Sequence, residues 1–210
     1  MIELFEFDKN FGSVVGTDEA GRGPAAGGVF SAAVYFPEIS EGLIKDLDRL
    51  NDSKKLSKVA RENLYEIILN STVNSIVCVE VDEIEKINIL NASLKAMKLA
   101  CEDVVNKANL SKFITLVDGN KLIKNYDYPQ QFVIKGDGKS ASIAASSILA
   151  KVARDRYMDE LASEYPQYGW NRNAGYLTKE HIKAIDEYGL TKYHRPSFLK
   201  KHFEKQLTLF

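Results

Sequence analysis

The chain has 210 residues, 45% of them hydrophobic and 27% charged, with a formal net charge of -1. That length suits one domain, or one domain with an extension, and holds enough apolar material for a sizeable core. No apolar run approaches the roughly 18–20 residues of a membrane helix, the acid-bearing N-terminus MIELFEFDKNFG is not expected to act as a signal peptide, and a sequence-wide basic footprint is absent.

The first strand expected is VVGT (14–17), running into Asp18. GRGPAAGG (21–28) then reads as a tight turn, and VFSAAVYF (29–36) as a second strand stopped by Pro37. Ser57 is placed to cap a helix reaching about Leu69, with Val59, Leu64, Ile67 and Ile68 on one side. NSIVCVEV (74–81) reads as a third strand, and 82–107 as a long amphipathic helical pattern broken near Ile87 and Asn88. FITLVD (113–118) and QFVIKGD (131–137) are two more strands, each ending in an acid. A helix rich in alanine and serine spans 140–165, ended by Pro166. A further helix spans 178–188, closed by Gly189, and a basic one spans 196–207. The pattern predicts an α/β fold, a mixed sheet flanked by helices. The part from Pro166 onward is mainly helical and is expected to pack on the main body.

Cys78 and Cys101 lie in apolar segments with no metal-ligand or CxxC spacing. They are expected as buried free thiols in a reducing cytoplasm. Between 192 and 205 stand Lys192, Arg195, Lys200, Lys201, Lys205, His194 and His202 against one acid, Glu204. This basic end suits contact with phosphates or, equally, a solvated helix face.

Three expected strand ends carry acids: Asp18 with Glu19, Asp118, and Asp137. Strand ends at one edge of an α/β sheet are where ligands bind. Glycine follows each closely, at Gly21, Gly119 and Gly138, allowing a sharp turn and close substrate approach. Successive strand residues point to opposite faces, so Asp18 and Glu19 are expected to share a site only if the strand stops between them. Carboxylates that converge repel one another, and divalent cations neutralise them. Hard oxygen donors select Mg²⁺ or Mn²⁺. Two such ions roughly 3.5–4 Å apart suit phosphodiester hydrolysis. A lone strand-end aspartate is more simply a turn residue; repetition of the pattern favours the metal reading. GDGKS (136–140) is not a nucleoside phosphate cradle, since Val133 stands where a glycine is required.

The segment GTDEAGRGPAAGG (16–28) resembles the first motif of ribonuclease HII, with DEAGRGP matching at seven consecutive positions. Matches continue in family order through DSKKL (52–56), NIL (88–90), AMKLA (96–100), VDGN (117–120), KGD (135–137), SIAASSILAKVARD (142–155), YPQYGWNRNAGY (165–176) and HRPSF (194–198). The resemblance implies an RNase H-like catalytic domain over 1–165 and a C-terminal helical extension over 166–210. The glycine turn and the early position of the first motif favour this type over the related ribonuclease HIII. It implies that Asp18, Glu19, Asp118 and Asp137 are the catalytic ligands of two divalent ions, Mg²⁺ or Mn²⁺, with Asp155 structural. His181, His194 and His202 are poor candidates for the main ligand set.

The implied activity is endonucleolytic hydrolysis of the RNA strand of RNA–DNA hybrids, and incision 5′ of single ribonucleotides in duplex DNA. The implied products carry 5′-phosphate and 3′-hydroxyl. Choosing RNA requires reading the 2′-hydroxyl, which the backbone of Gly21, Arg22 and Gly23 can do beside Asp18 and Glu19. Tyr176 would stack on the following deoxyribose. Ser53, Lys54 and Asn88 are expected substrate contacts by the same carry-over. The final residues, QLTLF (206–210), resemble the peptide by which bacterial replication proteins bind the sliding clamp. Gln206 would hydrogen-bond there, and Leu207, Leu209 and Phe210 would fill an apolar groove. Docking of these residues on the chain's own surface is the alternative. A cytoplasmic monomer is expected. Competing readings are a DNA-junction nuclease of the same fold and a non-catalytic hybrid-binding module.

Overall fold

The computed structural model describes residues 2–51, 53 and 56–207; from 201 onward it describes the backbone and the side chain of Glu204. Five strands form one sheet of order β3-β2-β1-β4-β5: β1 (Val14–Ala20), β2 (Val29–Tyr35), β3 (Val73–Val79), β4 (Ile114–Asp118) and β5 (Gln130–Val133). β2 runs antiparallel to β1 and β3, while β4 lies parallel to β1 and β5. This is the mixed sheet expected. β1 and β2 are buried along most of their length because helices cover both faces, which accounts for the largely apolar sequence of β2 and of the start of β1.

The helices are α1 (Ile2–Lys9), α2 (Glu41–Asp46), α3 (Lys58–Ser71), α4 (Val81–Ile87), α5 (Ile89–Lys107), α6 (Ala141–Glu164), α7 (Trp170–Asn173), α8 (Lys179–Tyr188) and α9 (Pro196–Leu207). On one face, α5 presents Leu94, Met97, Cys101 and Val104 at helical spacing to Val15, Ala33 and Val117. On the other, Ala141, Ala144, Ala145 and Ile148 of α6 pack on Ala32 and Val34, backed by Phe5 of α1 and by Leu64 and Ile68 of α3. The alanines bring α6 close to the sheet. The chain after Pro166 packs on the far end of α6. Trp170, Tyr168, Ala184, Ile185 and Leu199 form one apolar cluster with Met158, Leu161 and the turn residues Ala25 and Ala26.

Several sequence expectations change. β1 does not stop between Asp18 and Glu19; it pairs with β2 through Ala20. β5 ends at Val133, so Asp137 lies in a 3-10 turn, Gly136–Gly138, rather than at a strand end. The helical pattern does break at Asn88, which has φ 64° and caps α5 through its side chain. Cys101 is buried as expected, but Cys78 is only half-buried.

Candidate active site

β1 and β4 lie side by side, and Thr17 opposite Val117 is their last paired position. Asp18 and Asp118 follow directly, on neighbouring strands at one edge of the sheet. Beyond this point β1 keeps only β2 as a neighbour. Its other edge is open, and a cleft of about 370 Å³ wraps around it. Both Asp18 and Glu19 line this cleft, together with Gly21, Arg22, Gly23, Ser53 and Tyr176. An open strand edge thus does what a strand stop was expected to do.

The strand end is braced from beneath. Ser31 donates to the carbonyl of Asp18 at 2.7 Å, and Thr17 donates to that of Ala32 at 2.7 Å. Asp18 is buried, and its Oδ1 accepts from the Glu19 N–H at 2.7 Å. Burial, then the Glu19 and Asp118 carboxylates, hold its pKa well above the ordinary carboxylate value. Asp118 Oδ1 accepts from the backbone N–H of Gly136 at 2.7 Å, which ties the turn carrying Asp137 to the end of β4. Lys135, in the left-handed region at φ 55°, reverses the chain into that turn.

The donor set suits a hard divalent cation: it is all carboxylate oxygen, with a desolvated Asp18 flanked by two further acids. Among the described residues, however, no three Asp, Glu, His or Cys side chains are gathered closely enough to hold one ion. Carboxylates repel one another when no counter-charge stands between them. Here Asp18 and Asp118 each turn an oxygen toward a backbone N–H.

The glycine turn and Tyr176 face each other. A side chain at Gly23 would meet the Tyr176 ring at 3.2 Å. Gly21 has φ 101°, and a Cβ there would strike Arg154 Nε at 2.2 Å, so no other residue fits. Tyr176 is 53% exposed and open to the cleft. Arg22 pairs with Glu19 at 3.2 Å. Ser53 is buried, with its hydroxyl 2.9 Å from that of Ser147. Asn88 is exposed, is not among the cleft-lining residues, and uses its side chain to cap α5. Lys54, Leu209 and Phe210 lie outside the described residues, and Gln206 and Leu207 are at the end of the α9 backbone.

Besides Ala20 of β1, sequence reasoning missed three further cleft residues on α6: Ser147, Lys151 and Arg154. Their spacing of four and three places them on one helix face, and they lie in a stretch already matched to the family. Asp155 does not line the cleft and pairs with Lys151 and, at 3.7 Å, with Arg61. His181 and His194 are buried away from the acids, beside Trp170.

A family model for ribonuclease HII matches residues 15–206. The chain is 46% identical to the ribonuclease HII of Fusobacterium nucleatum over 204 residues, 97% of this chain and 93% of that protein. Its fold is similar to the crystal structure of ribonuclease H2 from Pyrococcus horikoshii, with TM-score 0.70 and 25% identity over 92% of this chain and 98% of that one. It is also similar in fold to Bst-RNase HIII, solved in complex with Mn²⁺, with TM-score 0.64 and 18% identity over 84% of this chain and 63% of that one. Family model and relative agree over nearly the whole length: the chain belongs to the ribonuclease HII family and is a ribonuclease H endonuclease.

Proposed function

We propose that this endonuclease cuts the RNA strand of RNA–DNA hybrids and incises duplex DNA 5′ of a single embedded ribonucleotide. The observation that carries this reading is the shared cleft. Asp18 and Glu19 stand in it beside the Gly21-Arg22-Gly23 backbone, with Tyr176 on the opposite wall. Two of the four acids and the sugar-reading groups would therefore meet one nucleotide step, with Asp118 and Asp137 at the same sheet edge but outside the cleft lining.

Asp18, Glu19, Asp118 and Asp137 would hold the divalent ions, Mg²⁺ or Mn²⁺. When bound, such ions supply Lewis acidity to activate water and to stabilise the departing 3′ oxygen. The chain's own residues do the rest. The Asp118–Gly136 hydrogen bond holds the Asp137 turn at the same sheet edge. The glycine turn offers peptide groups to a 2′-hydroxyl where no side chain intervenes. Tyr176 stacks on the next sugar and disfavours a hydroxyl there. Lys151 places positive charge in the cleft for phosphate. The products carry 5′-phosphate and 3′-hydroxyl, and all groups invoked come from one chain, so a monomer suffices.

The segment 206–210, QLTLF, would bind a bacterial sliding clamp: Gln206 by hydrogen bonds, and Leu207, Leu209 and Phe210 in an apolar groove. The pattern of the five residues supports this.

The test is cleavage of a DNA duplex carrying one ribonucleotide, with Mg²⁺, Mn²⁺ or a chelator, and the cut mapped at nucleotide resolution. The expected result is one metal-dependent incision 5′ of the ribonucleotide. Equal cutting of an all-DNA duplex or junction would overturn the reading.

A further inference from the structure

Two arginines lie buried behind the glycine turn: Arg154 is 2% exposed and Arg195 0%. Buried guanidinium groups are costly and are normally matched by a carboxylate. Neither of these belongs to an ion pair among the described residues; both spend their donors on backbone carbonyls. Burial and the nearby Arg154 lower the Arg195 pKa to about 10.

Those carbonyls belong to the two segments that flank the cleft, the glycine turn and the stretch leading to Tyr176. Arg195 donates to Gly27 O at 2.9 and 2.6 Å and to Pro24 O at 2.8 Å, gathering the 24–27 segment around one cation. Arg154 does something different, because it joins two segments. Its Nη2 donates to Ala26 O at 3.2 Å and to Ala174 O at 3.0 Å, and its Nε donates to Gly28 O at 3.4 Å. Ala26 and Gly28 continue the glycine turn, and Ala174 is two residues before Tyr176. The Arg154 side chain also lies directly against Gly21. One backbone hydrogen bond, Ala25 N–H to Gly175 O at 2.9 Å, joins the same segments nearby.

We propose that Arg154 is the positioning residue for ribonucleotide selection: its planar guanidinium fixes the spacing between the 21–28 turn and Tyr176. This rests on the reading that these two segments recognise the junction. Arginine suits the task because its rigid fork directs several donors along fixed lines. A lysine ammonium is a single point on a flexible stem. Arg154 acts through the two segments it joins, and a displacement of about 1 Å between them is enough to cost a large factor in rate.

The experiment compares Arg154→Lys and Arg154→Met with Tyr176→Ala and the parent chain. kcat and KM are measured on a duplex with one ribonucleotide and on a long RNA–DNA hybrid, and thermal unfolding checks the fold. Both Arg154 variants are expected to lose about tenfold more kcat/KM on the single ribonucleotide than on the hybrid, mostly in kcat. Arg154→Lys should fail to rescue. If the methionine variant does not fold, the lysine variant, which keeps charge and most of the volume, decides the matter. Equal losses on the two substrates, or full rescue by lysine, would overturn the proposal. If Tyr176→Ala shifts the ratio and the Arg154 variants do not, the positioning role alone fails. If Tyr176→Ala leaves the ratio unchanged, the junction reading itself fails.

Discussion

Asp18 is proposed to carry the chemistry and adds little to the fold: its side chain bonds to the neighbouring Glu19 N–H and to the Ser147 hydroxyl of α6. Asp18→Asn is expected to abolish cleavage, by at least about 10³-fold if the carboxylate is essential, while thermal unfolding and hybrid binding stay near those of the parent. Unchanged turnover in that variant would remove Asp18 from the site. At this scale the sequence was informative where chemistry and backbone demand coincide. Asp18, Glu19, Gly21 and Gly23 sit in one contiguous motif, and the structure places Asp18, Glu19 and the turn in one cleft. Ser147, Lys151 and Arg154 were not legible. α6 is buried on nearly all sides, so its sequence has no polar face to mark the side turned to the cleft. Asn88 is ambiguous for another reason: a left-handed asparagine that caps a helix and one that contacts a substrate look alike in sequence.

Contact between α6 and β1 is the mechanical base of the site. A Cβ built on Gly16 would lie 2.3 Å from the Ser142 carbonyl carbon and 2.4 Å from the Ile143 nitrogen, both backbone. Gly16→Ala must therefore push helix from strand. A loss of about 1–3 kcal/mol is expected in denaturant unfolding, and a neutral result would contradict the packing described. The N-terminus of α6 is also tied to α1, through a 2.9 Å hydrogen bond from the Ser142 N–H to Asp8 Oδ2. α1 was not foreseen, since the short run IELFEF is too brief to show a helical period and suits a strand as well as a helix. Most other elements were legible because caps and breaks mark them: Ser57, Thr178 and Gly189 end helices in the structure as the sequence suggested. The Asp137 turn was misjudged as a strand end because its left-handed Lys135 has no signature in sequence.

The whole molecule depends on how the chain after Pro166 is fastened to the body. At that junction His194 Nδ1 accepts from the Thr191 N–H at 2.9 Å, which leaves its Nε2 protonated and 3.2 Å from His181 Nε2. His181 Nε2 also accepts from the Trp170 indole at 3.0 Å, and its Nδ1 donates to Tyr176 O at 3.0 Å. Every role is filled by neutral imidazoles. Burial, then His181, lower His194 to about 4, and burial lowers His181. In the unfolded chain both titrate near 6.5. The folded state thus binds fewer protons, and stability present above about pH 6.5 is lost as pH falls toward about 4. A fall in Tm over that window is expected, and it should be shallower in His194→Gln. Asp8 and Asp18, with raised pKa values, work in the opposite sense, so the difference between variant and parent isolates the histidine. Parallel Tm curves would contradict the neutral pair. Deletion of 206–210 should leave cleavage of naked substrate intact and abolish clamp binding; a clamp titration equal to that of the full chain would reject that role.

Asp18, Glu19, Asp118 and Asp137 are proposed to close around divalent ions at this edge of the sheet. Anomalous diffraction from crystals soaked in Mn²⁺ with a bound hybrid tests this arrangement most directly. Manganese peaks are expected within roughly 2.0–2.3 Å of oxygens from all four acids. Peaks elsewhere, or an Asp137 that stays out of reach of every ion in the cleft, would contradict it.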